Sequence, residues 1–381
     1  MPRRPIFLDY LATTPVDPRV VQACLPYLTA SFGNPASSHA FGQAAAAAVA
    51  EARASVAGLL GCAPGEIVFT GGGSEGDTLA IRGAALARRP RRGYVITQAT
   101  EHPAVLAACD ALARLHDYRV THLPVDEYGL VDPATLEAAM TEDTVLVSIM
   151  HANNETGTLQ PISELASIAH AGGALFHTDA AQTAGKIPIS VGALGVDLLS
   201  LAGHKLYAPK GVGALYVTES LELEPAIYGG GQERGLRGGT ENVALIAGLG
   251  HASGIAVDAV DAVDTEATRL RALRDLLHDE LTRLVPAAVE VNGHPEQRLP
   301  NALNVSIAGA VGPRLLAATT EIAASTGSAC HEGVDAPSPV LTAMGLPAER
   351  AMSAVRLSVG RWTSDQDVSA AASAIARVCV G

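Results

Sequence analysis

The chain lacks three features that would place it in familiar classes of protein. No run of apolar residues reaches the roughly 20 that a membrane-spanning helix needs, so we expect no membrane segment. The formal net charge of -13 argues against direct binding of nucleic acid through a basic surface. The cysteines are scattered, without the paired spacing of a zinc site or a disulfide framework; they are Cys24, Cys62, Cys109, Cys330 and Cys379. We therefore expect neither a metal site nor disulfide bonds.

The amino-terminal stretch has no secretory character either. Arg3 and Arg4 are followed within a few residues by Asp9, without an apolar signal core or a small-residue cleavage site. We therefore expect a cytoplasmic protein, in which the cysteines stay reduced and any important one acts as a thiol.

What the chain does contain is apolar residues, which make up 48% of it, against 17% charged residues. This composition predicts a folded core rather than disorder, and 381 residues are enough for two lobes. The first 35 residues are rich in proline and small polar residues and are predicted to be irregular. An alanine-rich helix is predicted over 38–60, because alanine has the highest helix propensity.

Short apolar strands then alternate with helical patterns. We predict strands near 66–70, 94–97, 119–123, 144–150, 174–178, 198–201 and 212–217. Apolar strands separated by helices are typical of a mostly parallel sheet covered on both faces, which makes the fold α/β. Beyond residue 258 the pattern changes to a smaller α+β region, with strands near 288–292, 302–307, 322–325 and 354–359.

Polar residues follow five of the predicted strands of this sheet. Because ligands bind beyond the carboxyl ends of the strands in an open parallel sheet, we expect these residues to share one edge. They are the glycine turn 71–76, Glu101 with His102, residues 153–155, Asp179 with Gln182, and His204 with Lys205. Core packing alone does not explain such a row.

The glycine turn 71–76 satisfies G-x-G-x-x-G between a strand and a helix. A dinucleotide fold would also need an acidic residue at the end of the next strand, and a nucleotide P-loop would need a GK[ST] ending; both are missing. The glycine turn still predicts a phosphate-binding site of a more general kind. Backbone N–H groups and the Ser74 hydroxyl at a helix N-terminus form a cup for a phosphate monoester.

Three further residues each allow a structural and a functional interpretation. Asp179 and His102 could simply cap helices, and Lys205 could extend into solvent. Alternatively, Asp179 faces a pyridine nitrogen, His102 stacks on the ring, and Lys205 is a desolvated amine that forms a Schiff base. A phosphate cup, an acid, a stacking ring and a lysine together predict pyridoxal 5'-phosphate (PLP) as the cofactor.

Nine motifs spread over the chain resemble the cysteine desulfurases, the NifS/IscS-like branch of the class V aminotransferase family. They are LDYLATTP (8–15), FGNP (32–35), TEH (100–102), HANNE (151–155), DAAQ (179–182), GHK (203–205), RGGT (237–240), GSAC (327–330) and RLSVGR (356–361). The resemblance runs essentially end to end. It implies PLP fold type I and a homodimer whose sites borrow residues from the partner subunit. It also implies a large PLP-binding domain at 12–258 and a small domain, 1–11 plus 259–381, that carries the catalytic cysteine loop.

The resemblance assigns a role to each matching site residue. It makes Lys205 the Schiff-base lysine, Asp179 the partner of the pyridine nitrogen and His102 the stacking ring. It makes Arg356 the ligand of the substrate carboxylate and Cys330 the nucleophile. The other implied contacts are Gly73, Ser74 and His204 to the phosphate, Thr240 to the phosphate of the other subunit, and Gln182 and Asn154 to the cofactor hydroxyl and the substrate region.

The function implied by this resemblance is conversion of L-cysteine to L-alanine, with the sulfur left as a persulfide on Cys330 for a sulfur-acceptor protein. Iron–sulfur assembly, tRNA thiolation and DNA phosphorothioation are all open as destinations. Two alternatives remain. One is another class V aminotransferase or lyase that does not use the cysteine, and the other is a catalytically silent sulfur-relay scaffold.

The phosphate cup departs from the family pattern. Ala202 stands where the family usually has Ser, Thr78 stands where Asn is common, and the turn reads Gly-Gly-Gly-Ser instead of ending in Ala-Thr. A lost hydrogen bond to a charged group costs about 1.5–3 kcal/mol. We therefore expect PLP to be held less tightly than in the family at large.

Overall fold

The computed structural model describes residues 4–88, 93–261, 266–285, 289–327 and 336–380. None of the helices in these ranges is long and apolar enough to cross a membrane.

A seven-stranded sheet forms the centre of the first two thirds of the chain. Its strands are β2 (Ile67–Thr70), β3 (Tyr94–Gln98), β4 (Arg119–Leu123), β5 (Thr144–Ser148), β6 (Leu175–Asp179), β7 (Leu198–Ala202) and β8 (Gly213–Val217). Their order is β2-β8-β7-β6-β5-β3-β4. The pairs from β7 to β4 are parallel, whereas β8 pairs antiparallel with both of its neighbours. The prediction of a mostly parallel α/β sheet is confirmed.

Helices cover both faces of this sheet. They are α1 (Pro18–Leu28), α2 (Ala40–Leu60), α3 (Gly73–Arg88), α4 (Pro103–His116), α5 (Pro133–Ala139), α6 (Ile162–Ala171), α7 (Val191–Leu194) and α8 (Val243–Asp261). On one face Leu60, Leu165 and Leu249 from α2, α6 and α8 pack with Phe176 of β6. On the other face α3 and α4 pack against the sheet in a second cluster. Covering both faces explains why the central strands read as continuous apolar runs.

The prediction that the first 35 residues are irregular is wrong. Pro18 begins α1, because its fixed φ suits the first helical turn and Asp17 caps that turn by accepting the Arg19 N–H at 2.9 Å. The prolines in this segment suggested irregular structure, but one of them, Pro18, is the first residue of a helix.

The last third of the chain has sheets and a core of its own. The strands β9 (Val289–Val291), β10 (Ala302–Ile307) and β12 (Ala354–Ser358) form an antiparallel sheet, and β1 (Ile6–Phe7) pairs in parallel with β11 (Ile322–Ala323). The helices of this region are α9 (Glu266–Leu284), α10 (Gly312–Ala318), α11 (Pro339–Ala343), α12 (Ala348–Met352) and α13 (Asp365–Val380). The apolar side chains of these strands and helices form a separate core, in which Leu8 from the amino-terminal segment is also buried. The division into domains at residue 258 stays a prediction.

Candidate active site

Lys205 follows β7 in the short turn Gly203–Lys205. Its Nζ donates hydrogen bonds to the carbonyl oxygens of Leu11, at 2.5 Å, and Ala12, at 2.8 Å. Burial, with a smaller contribution from the Arg356 guanidinium, lowers the pKa of Lys205 to about 8. An amine with this pKa is partly unprotonated near neutral pH, so it can act as a nucleophile and as a base.

The carbonyl groups that hold Lys205 belong to an amino-terminal segment, residues 11–14, that lies against the ends of β6 and β7. Thr14 donates its N–H and its hydroxyl to the carbonyl of His204, at 2.9 and 3.0 Å. The His204 Nδ1 lies 3.1 Å from the Thr13 hydroxyl. The Gln182 amide donates to the Leu11 carbonyl at 3.0 Å. The sequence motif at 8–15 indicated a family but did not reveal this contact with the lysine.

His102 caps α4, so its structural interpretation holds, whereas Asp179 ends β6 and is followed by a turn rather than by the helix that it was expected to cap. Asp179 Oδ1 accepts the Ala181 N–H at 2.8 Å, and His102 Nδ1 accepts the Ala104 N–H at 3.2 Å. Burial raises the pKa of Asp179, and the nearby His102 and Lys205 oppose that rise. Burial also lowers the pKa of His102, which favours a neutral ring. The turn contact of Asp179 and the capping contact of His102 leave both side chains close to the lysine, where the functional interpretation requires them.

A second buried lysine lies next to the first. Lys186 donates to the carbonyl oxygens of Gln182, at 2.9 Å, and Lys205, at 3.4 Å. Burial, reinforced by the charge of Lys205, lowers the pKa of Lys186 to about 7. Sequence reasoning missed this residue, for which its position seven residues after an expected site acid was only a weak signal.

Buried polar groups of α3 and the sheet lie behind Asp179. Asp77 is 1% exposed, and its Oδ1 has no hydrogen-bond partner among the described residues. His177 Nε2 lies 3.8 Å from that oxygen, and burial raises the pKa of Asp77 well above its ordinary value. The His177 ring lies between the hydroxyl groups of Ser148, at 2.8 Å, and Ser200, at 3.0 Å. Asp77 was not predicted; an acid on the apolar face of a helix was the available signal.

The predicted phosphate cup opens α3. Gly72 has a φ of 148°, which favours glycine there, and Ser74 is exposed at the beginning of the helix. A Cβ added to Gly73 would lie 3.2 Å from the Ala202 Cβ, so the methyl group of Ala202 borders the cup. The Thr78 hydroxyl donates to the Ser74 carbonyl at 2.7 Å.

A glutamate connects the cup to the loop before α8. Glu75 accepts the Gly71 N–H and the Arg237 Nε–H, each at 2.9 Å. Thr240, farther along this loop, is exposed. An exposed threonine is available to a second copy of the chain.

Arg356 lies in β12 and reaches the lysine from the other region of the fold. It is 4% exposed. Its Nη2 pairs with Asp9 Oδ1 at 2.7 Å, and its Nη1 donates to the main-chain carbonyl of Asn154 at 2.8 Å. Its Nε is buried and has no partner within the described part of the chain. Asp9 was not predicted as a site residue.

These residues fit PLP. Among the described residues the buried Gln182 Oε1 and Arg356 Nε have no hydrogen-bond partner, so both are available to a polar ligand. A desolvated lysine, an acid at a strand end and a glycine turn at a helix start match the aldehyde, pyridine nitrogen and phosphate of PLP.

The structure therefore brings most of the predicted site residues to one sheet edge, with two exceptions. Those at the edge are Lys205, His204, Asp179, Gln182, His102 and the cup residues Gly73 and Ser74, while Arg356 and the backbone of Asn154 complete the group from the side. Thr240 is exposed, and Cys330 lies outside the described residues.

Known proteins resemble this chain over nearly its whole length. The aminotransferase class-V family model matches residues 6–370. A cysteine desulfurase IscS of Anaeromyxobacter dehalogenans (strain 2CP-C) is 47% identical over 367 residues, covering 96% of this chain and 90% of that protein. The solved structure of a NifS-like protein matches with a TM-score of 0.91 and 36% identity, over 98% of this chain and 99% of that one. The structure of SspA in complex with cysteine matches with a TM-score of 0.82 and 37% identity, over 93% and 98% of the two chains.

Proposed function

The chain belongs to the aminotransferase class-V family, and on that premise we propose that it is a PLP-dependent cysteine desulfurase. It converts L-cysteine to L-alanine and transfers the sulfur, as a persulfide, to an acceptor protein. The observation that carries this proposal is the setting of Lys205. An amine whose pKa is lowered to about 8 lies beside both a buried acid, Asp179, and a buried arginine, Arg356.

PLP would be held by residues around Lys205 and by residues of the phosphate cup. Lys205 would anchor it, Asp179 would face its pyridine nitrogen, His102 would lie against its ring and Gln182 Oε1 would accept from its hydroxyl. The phosphate would bind to Gly73, Ser74 and His204, with Thr240 supplied by a second copy of the chain. When bound, PLP withdraws electrons from the substrate's α-carbon.

The chain's own residues bind the substrate and move its protons. Arg356 binds the substrate carboxylate through its free Nε–H and a neighbouring N–H, because a guanidinium prefers two parallel hydrogen bonds to a carboxylate. The Lys205 amine removes a proton from the α-carbon and returns protons to the carbon skeleton. Asp179, held in place by the Ala181 N–H, keeps a negative charge opposite the ring.

Sulfur transfer is the proposed role of Cys330. Its thiolate attacks the substrate sulfur, so that an S–S bond forms while the C–S bond breaks. The electron pair of the C–S bond stays on the carbon, which takes a proton and becomes the methyl group of alanine. The relatives' names and the GSAC motif at 327–330 support this assignment.

We infer a cytoplasmic homodimer that delivers sulfur to a protein acceptor. The exposure of Thr240, which the family pattern assigns to the other subunit's phosphate, supports the dimer. Iron–sulfur assembly, tRNA thiolation and DNA phosphorothioation remain alternatives for the destination of the sulfur. Capture of proteins that accept radiolabelled sulfur from the purified enzyme distinguishes them.

Replacing the cysteine tests the proposal. Cys330→Ala should still show the visible absorbance of PLP but should release neither alanine nor sulfide from L-cysteine in the presence of a thiol. Cys379→Ala is the matched control, because burial raises the pKa of this helix cysteine and makes it a poor nucleophile. Unchanged turnover in Cys330→Ala would establish an aminotransferase or lyase instead. A colourless protein that PLP cannot reconstitute would establish a silent scaffold.

A further inference from the structure

Asp9 already pairs with the arginine that the proposed function assigns to the substrate. Its Oδ1 lies 2.7 Å from Arg356 Nη2 and also accepts the Ser325 hydroxyl at 3.2 Å. The chain thus places one of its own carboxylates on the guanidinium where an amino-acid carboxylate is to bind.

The remaining contacts of the guanidinium leave room for a second carboxylate. An arginine has five N–H groups in a planar fork, and the structure shows Nη1 bonded to the Asn154 carbonyl and Nη2 to Asp9. Nε is buried, and no acceptor for it occurs among the described residues. An orphaned N–H on a side chain that is 4% exposed indicates a polar ligand, because burial without a partner is costly.

We propose that Asp9 limits the affinity of Arg356 for amino-acid carboxylates: by pairing with Nη2 it neutralises part of the guanidinium charge, which weakens binding at the free Nε and promotes release of the product. This inference rests on the proposed function, since the ligand is taken to be an amino acid. L-Alanine keeps the carboxylate of L-cysteine, so an unopposed arginine would hold the product as tightly as the substrate. Binding both equally well does not speed turnover.

A competing acid also protects the empty site. Without Asp9, the Arg356 side chain would be a buried charge whose one remaining hydrogen-bond partner among the described residues is the Asn154 carbonyl, which is unfavourable. Another acid near it is Glu155, whose Oε2 accepts the Ser338 hydroxyl at 2.5 Å. Burial raises the pKa of Glu155, so it is the weaker candidate for a counter-charge.

The same pairing affects Lys205. The charged and titratable groups that act on this lysine, or on which it acts, are Arg356, Asp179, Asp9, His102, His204 and Lys186. Among them Arg356 lowers the pKa of Lys205, whereas Asp9 raises it. Loss of the Asp9 charge should therefore lower the pKa of the lysine and, at the same time, strengthen carboxylate binding.

Asp9→Asn tests the inference, because it removes the charge and keeps the shape. Titrating the holoenzyme with L-alanine, followed by its visible spectrum, should give a Kd about five- to tenfold lower than that of the wild type. The kcat for L-cysteine should fall as alanine leaves more slowly, and KM should fall with it. Asp9→Glu keeps the charge, so its alanine Kd should stay within about twofold of the wild-type value.

A second measurement does not depend on turnover. The pKa of Lys205 in the cofactor-free protein, from the pH dependence of its chemical labelling, should be lower in Asp9→Asn than in the wild type. An unchanged or higher alanine Kd together with an unchanged lysine pKa overturns the inference and leaves Asp9 a structural residue. A wild-type enzyme that makes no alanine from cysteine overturns the proposed function instead, and the lysine pKa then decides alone whether Asp9 acts on the Arg356 site.

Discussion

The two ends of the candidate site are built differently. At the lysine end, which comprises Lys205, Arg356 and the segment 11–14, charged side chains are bonded to backbone carbonyls before any ligand arrives. At the phosphate end, which comprises the turn 71–74 and Ala202, a methyl group borders the cup and the serine is exposed.

The difference predicts which interactions retain the cofactor. Because preorganised groups lose little entropy when the ligand binds, we expect the lysine end to contribute most of the binding. The phosphate end has a methyl group instead of a hydroxyl at position 202 and, under the proposed function, would need Thr240 from a second copy. Four substitutions test this contrast.

Lys205→Ala should have the largest effect. It removes the anchor and the base together, so we expect loss of the PLP absorbance and of measurable alanine production. Lys210→Ala, at an exposed lysine in the same loop, is the control and should keep both. Substantial PLP absorbance in Lys205→Ala after gel filtration would show that the phosphate end retains the cofactor without the lysine.

Arg356→Ala should weaken substrate binding strongly. Truncating one partner of a buried ion pair costs about 2–5 kcal/mol, so KM for L-cysteine should rise by about 10²-fold. The variant also leaves Asp9 without its cation, which should lower the thermal midpoint. Arg377→Ala, which removes an exposed pair with Glu321, should change neither quantity. A KM close to the wild-type value would mean that another group binds the carboxylate.

Ala202→Ser should strengthen the phosphate end. The new hydroxyl would lie against Gly73, and the Kd of the cofactor-free protein for PLP should fall by about tenfold, because hydrogen bonds to charged groups contribute about 1.5–3 kcal/mol. Ala202→Val adds volume without a donor and should not tighten binding. Equal Kd values for the serine variant and the wild type would show that the alanine costs the cup nothing.

Lys186→Met should have the smallest effect, and that effect should depend on pH. The pKa of Lys186 is about 7 in the folded chain, below that of a free lysine, so between pH 7 and pH 10 the unfolded chain binds the extra proton. The stability of the wild type relative to the variant should therefore rise with pH, by at most about 1.4 kcal/mol per unit. Thermal midpoints at pH 7 and pH 9 should show the difference growing by a few degrees. A constant difference would contradict the lowered pKa.

Much of the fold and of the lysine end could be predicted from sequence. The central strands are buried on both faces, so their apolar runs are visible, and parallel strands bring Asp179 and Lys205 to the same edge. Asp9 and Lys186 could not be predicted in this way. Asp9 meets Arg356 across 347 positions of sequence, and no local pattern records such a pairing. Lys186 looks like a surface lysine until the turn beside it is known.

The amino-terminal segment has a consequence for how the protein is made. Residues 8–14 are synthesised long before their partners, since Leu8 bonds to Ala323, Asp9 to Arg356 and Leu11 to Lys205. At a synthesis rate of about 5–20 residues per second, the 347 positions between Asp9 and Arg356 take roughly 20–70 seconds to translate. Even after the last strand of the central sheet, β8 (Gly213–Val217), has been made, the nascent chain still lacks Arg356, so we expect it to capture its cofactor in full only near the end of its synthesis.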